Sequence, residues 1–233
     1  MFLKIGELKK IMKDALKSSG LIVGNTGEWF LVYTEKWGVA TELQYLSNKF
    51  KAAVIELIGD LPEEGEAYLY NIDEHGLKQA PDLDPVDPYD EWMAAKDVAV
   101  KTGVNVRLFA HEYAFYQVKQ THACIAIERR HVEPMISPSD LDKTEGELMP
   151  PNPSVRNGTV LYFKNDMMIY WVAAEPMPEK TRNEFLPLLE SLDFFNEREE
   201  VIPYSRRSYG ITSFDLWKVR KWKEPEFKVL RRG

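Results

Sequence analysis

Cysteine is almost missing from this chain. Cys124 is the only one in 233 residues, which excludes an intrachain disulfide and a thiolate-built zinc site and suits a reducing compartment. It sits between Ala123 and Ile125 in an apolar run, where a thiol packs as a small hydrophobe and lacks the basic, open surroundings of a nucleophile. Long apolar runs are missing too. None approaches the roughly 20 residues that span a bilayer, and the opening MFLKIGELKK has no signal-peptide apolar region, so a cytoplasmic location without a membrane partner is expected. There is no Gly-x-Ser-x-Gly elbow, no Gly-rich phosphate loop ahead of a helix and no His-Glu-x-x-His pair; no motif names a reaction. A uniform positive charge is also absent. The net charge is −7, yet residues 204–233 hold nine Lys or Arg against three acids, a basic tail on an acidic body.

What is present supports a folded protein. Hydrophobic residues make up 44% and charged residues 29%, and a chain of this length buries roughly 70% of its unfolded surface. The periodicities predict an α+β fold with antiparallel sheets and helices packed on them: two pseudo-repeated halves, each helix-hairpin-helix-hairpin, plus a C-terminal helix and strand pair. The first half, residues 1–80, opens with a helix over Ile5 to Ser19, whose Ile5, Leu8, Ile11, Met12, Ala15 and Leu16 form one stripe. Short strands follow at Leu21–Val23, Glu28–Glu35 and Trp37–Thr41. A second helix is predicted from Glu42 to Gly59, with Thr41 and Gln44 as its capping box, then a strand over Glu66–Ile72 that returns after His75-Gly76. Residues 81–88, with the Pro and Asp of APDLDPVDP, read as a linker; the acids lack the spacing and the glycine of a calcium loop. The second half, 89–178, is predicted to start with a helix from Tyr89 to Lys101 that stops at Gly103, and to centre on a long hairpin, 104–129. A long Pro-rich loop follows, then a hairpin around Asn165-Asp166 with both faces covered. Residues 179–233 are read as a helix kinked at Pro187 and a basic, aromatic strand pair, Ile211–Trp222 with Phe227–Leu230.

The stretch Val104–His131 holds three of the four histidines. If its loop is Lys119 to His122, Val118 faces Ala123, and the same register sets Tyr113 opposite Glu128, Glu112 opposite Arg129 and His111 opposite Arg130. His111, His131 and Glu133 then share a face, two imidazoles and a carboxylate of the kind that hold zinc or iron or act as general bases. A one-residue slip separates them. No cofactor is called for by any motif. Two groups of cations are candidates for a nucleic-acid or protein partner: Lys9, Lys13 and Lys17 on the first helix, and Lys218, Arg220, Lys221, Trp222 and Lys223, where cations interleave with aromatics as on single-strand binding surfaces. Both also have a plain reading as solvated charge.

Asn48-Lys49-Phe50 leading into LPEEGEAYLY at 61–70 resembles the second helix and following strand of a DNA sliding clamp domain, and MIYWVAAEPM at 168–177 is similar to its last strand. The resemblance covers at best residues 5 to 177. It implies a ring assembled from several copies with basic helices lining the hole for DNA. This chain departs from that pattern in having only its first helix basic and in the long loop after His131. Ser191 to Phe195 (SLDFF) also resembles the peptide by which replication proteins dock on a clamp, without its leading Gln; helical core packing of Leu192 and Phe195 is the plainer reading. The expected function is binding rather than catalysis: an accessory factor, clamp-like in DNA metabolism, whose partner is a protein or a protein–nucleic acid complex and which self-associates. The alternative is a metal-dependent hydrolase or oxygenase using His111, His131 and Glu133.

Overall fold

Alternation of buried residues along eleven strands builds one continuous antiparallel sheet. The computed structural model describes residues 2–81, 87–136 and 153–195 and the backbone of Lys228 and Val229. In chain order the strands are β1 (Leu21–Asn25), β2 (Trp29–Tyr33), β3 (Trp37–Glu42), β4 (Glu66–Asp73), β5 (Gly76–Pro81), β6 (Asp97–Leu108), β7 (His111–Val118), β8 (Cys124–Glu128), β9 (Ser154–Arg156), β10 (Val160–Lys164), β11 (Met168–Ala173) and β12 (Lys228–Val229). Their order across the sheet is β5-β4-β1-β2-β3-β11-β10-β9-β6-β7-β8, with β12 beside β6. The strands before and after the 81–88 segment join at β3 and β11, where Val39 pairs with Tyr170.

Two helices lie on one face of this sheet: α1 (Ile5–Leu16) and α2 (Asn48–Ile58). The apolar stripe of α1 is buried as its spacing predicts, and Phe50, Ala53, Val54 and Ile58 of α2 join the same core. That core runs from Tyr70 of β4 through Phe30, Val39 and Tyr170 to Tyr116 and Ile127 of β7 and β8. Ten strands at about 4.8 Å span roughly 45 Å, whereas two helices cover only about 20 Å, so the sheet must curl round them. The contacts agree: the Tyr170 hydroxyl on β11 donates to the carbonyl of His131, just beyond β8, at 2.5 Å, and the amide of Lys4, ahead of α1, donates to the Met135 carbonyl at 2.9 Å.

The outer faces carry two further clusters. Trp29, Leu31 and Tyr33 alternate out of β2 to meet Ile169, Tyr162 and Trp171, with Trp92 packed against them from α3 (Pro88–Met93). On the far strands Val100, Val106, Phe115 and Ala126 are covered by Leu189 and Phe194, the first on α4 (Leu186–Glu190). The hairpin at 160–173 thus has both faces covered, as its sequence predicts.

Several expectations are corrected. The helix from Tyr89 to Lys101 is only α3. Asp87 caps it through Tyr89 and Asp90 amides at 2.8 and 3.3 Å, but from Asp97 the β-branched residues pair with β7 and β9, and sheet pairing overrides the helical reading. Gly103, at φ +76°, is not a helix stop; it sits where the register shifts between Lys101 and Asn105, a bulge that glycine accommodates. The hairpin 104–129 is instead a three-stranded meander, because the chain reverses at Phe109-Ala110. The second helix starts later than predicted. Residues 43–45 form a 3-10 turn, and the N-cap is Ser47, whose Oγ accepts from the Phe50 amide at 3.3 Å. Ahead of Pro187, residues 181–185 form a π-helical turn rather than a simple kink, consistent with the ring and missing N–H of proline disturbing a regular ladder. Lys228–Val229 pairs with β6; the expected strand Ile211–Trp222 lies outside the described residues.

Candidate nucleic-acid interface

On the outward side of α1 and α2 lysines outnumber acids. Because both helices turn their apolar stripes into the sheet, their polar residues face out together. Lys4, Lys9, Lys10, Lys13 and Lys17 belong to the first helix and its flanks and Lys49 and Lys51 to the second, against only Glu7, Asp14 and Glu56. Lys9 bonds Glu56 across the helix pair, and Lys10 bonds Glu7 at 2.8 Å within α1. Lys13 and Lys17 are exposed, and among the described residues neither has an ion-pair partner.

A chain of polar contacts leads from α1 to the end of the sheet. Asp14 meets Arg130 at 3.5 Å. Arg130 Nε reaches Glu128 Oε1 at 2.9 Å, and the same oxygen lies 2.7 Å from His111 Nδ1. The Glu128 side chain is only 5% exposed, while Arg130 and His111 are about half exposed. Burial pushes the Glu128 carboxyl up, but the hydrogen bond with His111 and neighbouring positive charge outweigh it and hold it below the usual carboxylate range. A buried anion thus fixes two solvent-facing cationic or titratable groups. His131 is inside, 2% exposed, and burial depresses its imidazole to about 4, so it is neutral near pH 7.

On the other face of β7, Glu112 accepts from Arg129 at 2.6 Å, and Arg129 and Lys101 both bond Glu133. Burial alone would raise the Glu133 carboxyl; the two cationic donors reverse this and lower it. The predicted trio is therefore divided: His111 is held by Glu128, His131 is buried with its carbonyl on Tyr170, and Glu133 is engaged by cations. Among the described residues no group of three or more His, Cys, Asp or Glu is placed to hold a metal ion.

The reversal at Phe109-Ala110 was not predicted. Leu108 pairs with His111, leaving a two-residue loop. Phe109 is 91% exposed and has φ +54°. Only the first loop residue is in the left-handed region, where glycine is usual, and a side chain there costs about 1–2 kcal/mol. No Gly, Asn, Asp or Pro marks this turn in the sequence. The positive φ is invisible until the strands are paired.

Lys218, Arg220, Lys221, Trp222 and Lys223 lie outside the described residues. In SLDFF the buried residue is Phe194, at 6%, whereas Leu192 is 39% exposed, because Leu192 follows the end of α4 and its carbonyl accepts from Gln117 at 2.7 Å. Cys124 is partly buried and its thiol is pushed up to about 12 by burial and by Glu190. No helix among the described residues is long and apolar enough to cross a membrane.

The arrangement sets the exposed Lys13 and Lys17 of the first helix beside a run of ion pairs that ends at His111. No family model matches this chain, and no curated protein matches it. Among solved structures it resembles bacterial DNA polymerase beta subunits, weakly. The beta subunit from Streptococcus pyogenes is 10% identical at a TM-score of 0.33, over 76% of this chain and 64% of that one. The beta clamp of Helicobacter pylori gives 10% and 0.29, over 77% and 66%. The DNA polymerase III beta subunit of Thermotoga maritima gives 13% and 0.27, over 76% and 64%. The chain thus spans less than two thirds of the length of the first of these, and a likeness of this size assigns neither a fold family nor a function.

Proposed function

We propose that this protein is a non-catalytic accessory factor that binds nucleic acid, in company with a protein partner, through the outward face of α1 and α2. The observation that carries this reading is the seven-to-three excess of lysines over acids on one helix pair of a chain whose net charge is −7. Segregated positive charge on a negative body attracts a polyanion to that one face. The setting is DNA metabolism and the chain acts as an oligomer, as the sequence resemblance to sliding clamps implies. In the same reading residues 1–80 and 89–178 are related halves of one unit, and the basic run at 218–223 supplies further cations.

A titration of labelled duplex DNA against salt tests it. Affinity should fall steeply with salt, and Lys13→Glu with Lys17→Glu should weaken binding and flatten the logarithmic slope by about 2, since each phosphate contact contributes about 0.9. Affinity that does not respond to salt, or a double variant that binds as the parent does, would dispose of the reading.

A further inference from the structure

We propose that Phe109 is a stacking platform for an unpaired base, so that the preferred ligand is single-stranded nucleic acid running from the lysine face of α1 past Arg130 and His111 to the hairpin tip. This rests on the nucleic-acid reading above and adds to it the form of the ligand.

Position comes first. The contacts Asp14–Arg130, Arg130–Glu128 and Glu128–His111 tie the exposed side of α1 to the β6–β7 reversal, and His111 is the residue that closes the loop against Leu108. A strand held on Lys13 and Lys17 would therefore meet two partly exposed groups, Arg130 and His111, before the tip. Both are pre-set by a buried carboxylate, so holding them loses little side-chain freedom on binding.

Chemistry comes second. A phenyl ring 91% exposed, on a backbone that glycine would occupy without strain, presents its π-face to solvent on a rigid two-stranded support. Aromatic rings in a cationic frame bind unpaired bases, because every base has a π-face and the phosphates between bases meet the cations. The frame here is cationic. Arg107 lies two residues before Phe109 and is exposed, and Arg130 is about half exposed. The acids nearby are engaged: Glu112 by Arg129, and Glu128 by His111 and Arg130. A protein partner would ask for something else. Anchors of protein interfaces sit inside a desolvated apolar surround, and Phe109 has none, since Leu108 is buried and Ala110 is small.

The test uses the full chain with a fluorescent single-stranded oligodeoxynucleotide and with the duplex of the same sequence, measured by anisotropy across a salt series. Phe109→Gly is the informative variant, because it removes the ring while relieving the positive φ, so its thermal midpoint should not fall. It should lose about tenfold in affinity for the single strand, keep its affinity for the duplex and keep the salt slope; Phe109→Trp should retain single-strand binding. The proposal is overturned if Phe109→Gly binds the single strand as tightly as the parent, which would leave the ring to a protein partner, or if it loses single strand and duplex equally. Loss of both ligands in the Lys13 and Lys17 variant alone supports the lysine face independently of the tip. A parent chain that binds neither ligand overturns both.

Discussion

His131 and Glu128 show how much one buried residue can decide. His131 has an ordinary pKa of 6.5 and is depressed to about 4 by burial in the folded chain. Between those values the unfolded chain takes up a proton that the folded chain refuses, so stability rises with pH through that window and is lost on acidification. At 1.36 kcal/mol per unit the loss from pH 6.5 to 4 should be about 3 kcal/mol. Glu128 and Glu133, both lowered, extend it in the same direction below their ordinary range. Urea unfolding at a series of pH values checks this, with His131→Asn expected to flatten the profile; a parent profile already flat over the window would refute it. At this scale the sequence was only partly informative. Pairing of Glu112 with Arg129 follows from alternation and register, and the ion pair at 2.6 Å is there. That Glu128 is the buried partner of His111 does not follow, because the ladder ends at Tyr113–Glu128 and the next three residues turn into a 3-10 helix, breaking the alternation that placed His111 opposite Arg130.

Among the elements, the contact of β3 with β11 is the most exacting. Gly38 faces Trp171 in the register, and a Cβ there would stand 2.0 Å from Trp171 Cζ2, so the indole lies across the glycine. Gly38→Ala should cost about 1–3 kcal/mol by overpacking, read as a lower denaturant midpoint, and adding Trp171→Leu should recover part of it. An unaltered midpoint in the single variant would mean that the two strands adjust freely. Element types were legible where the period was clear: α1, the β7–β8 register with Val118 donating to Ala123 at 2.9 Å, and the β10–β11 hairpin. They were not legible at 94–101. There Asp87 and Pro88 start a helix correctly, but the local helical pattern cannot show that Val98 will pair with β9 and Val100 with β7.

The whole molecule depends on a sheet whose middle is made of distant segments. Its edges differ from its centre: β5 has a partner on one side only and is mostly exposed, whereas β3 and β11 are almost wholly buried. Hydrogen exchange should therefore leave Ala40 and Tyr170 protected until the chain unfolds globally, while amides near Lys78 and Ala80 exchange by local opening; equal protection of both groups would contradict this. That the fold is α+β with antiparallel pairing was legible in the alternation of residues 21–73 and 160–173. The curl of the sheet was not, because it is set by how much strand surface two helices can cover. The β3–β11 seam has a consequence during synthesis. The strands it joins lie roughly 130 residues apart, so at 5–20 residues per second about 6–26 seconds pass between their emergence. For that interval Trp37 and Val39 lie on an open edge that any extended chain can extend, and nascent material should be most prone to aggregation before β11 arrives.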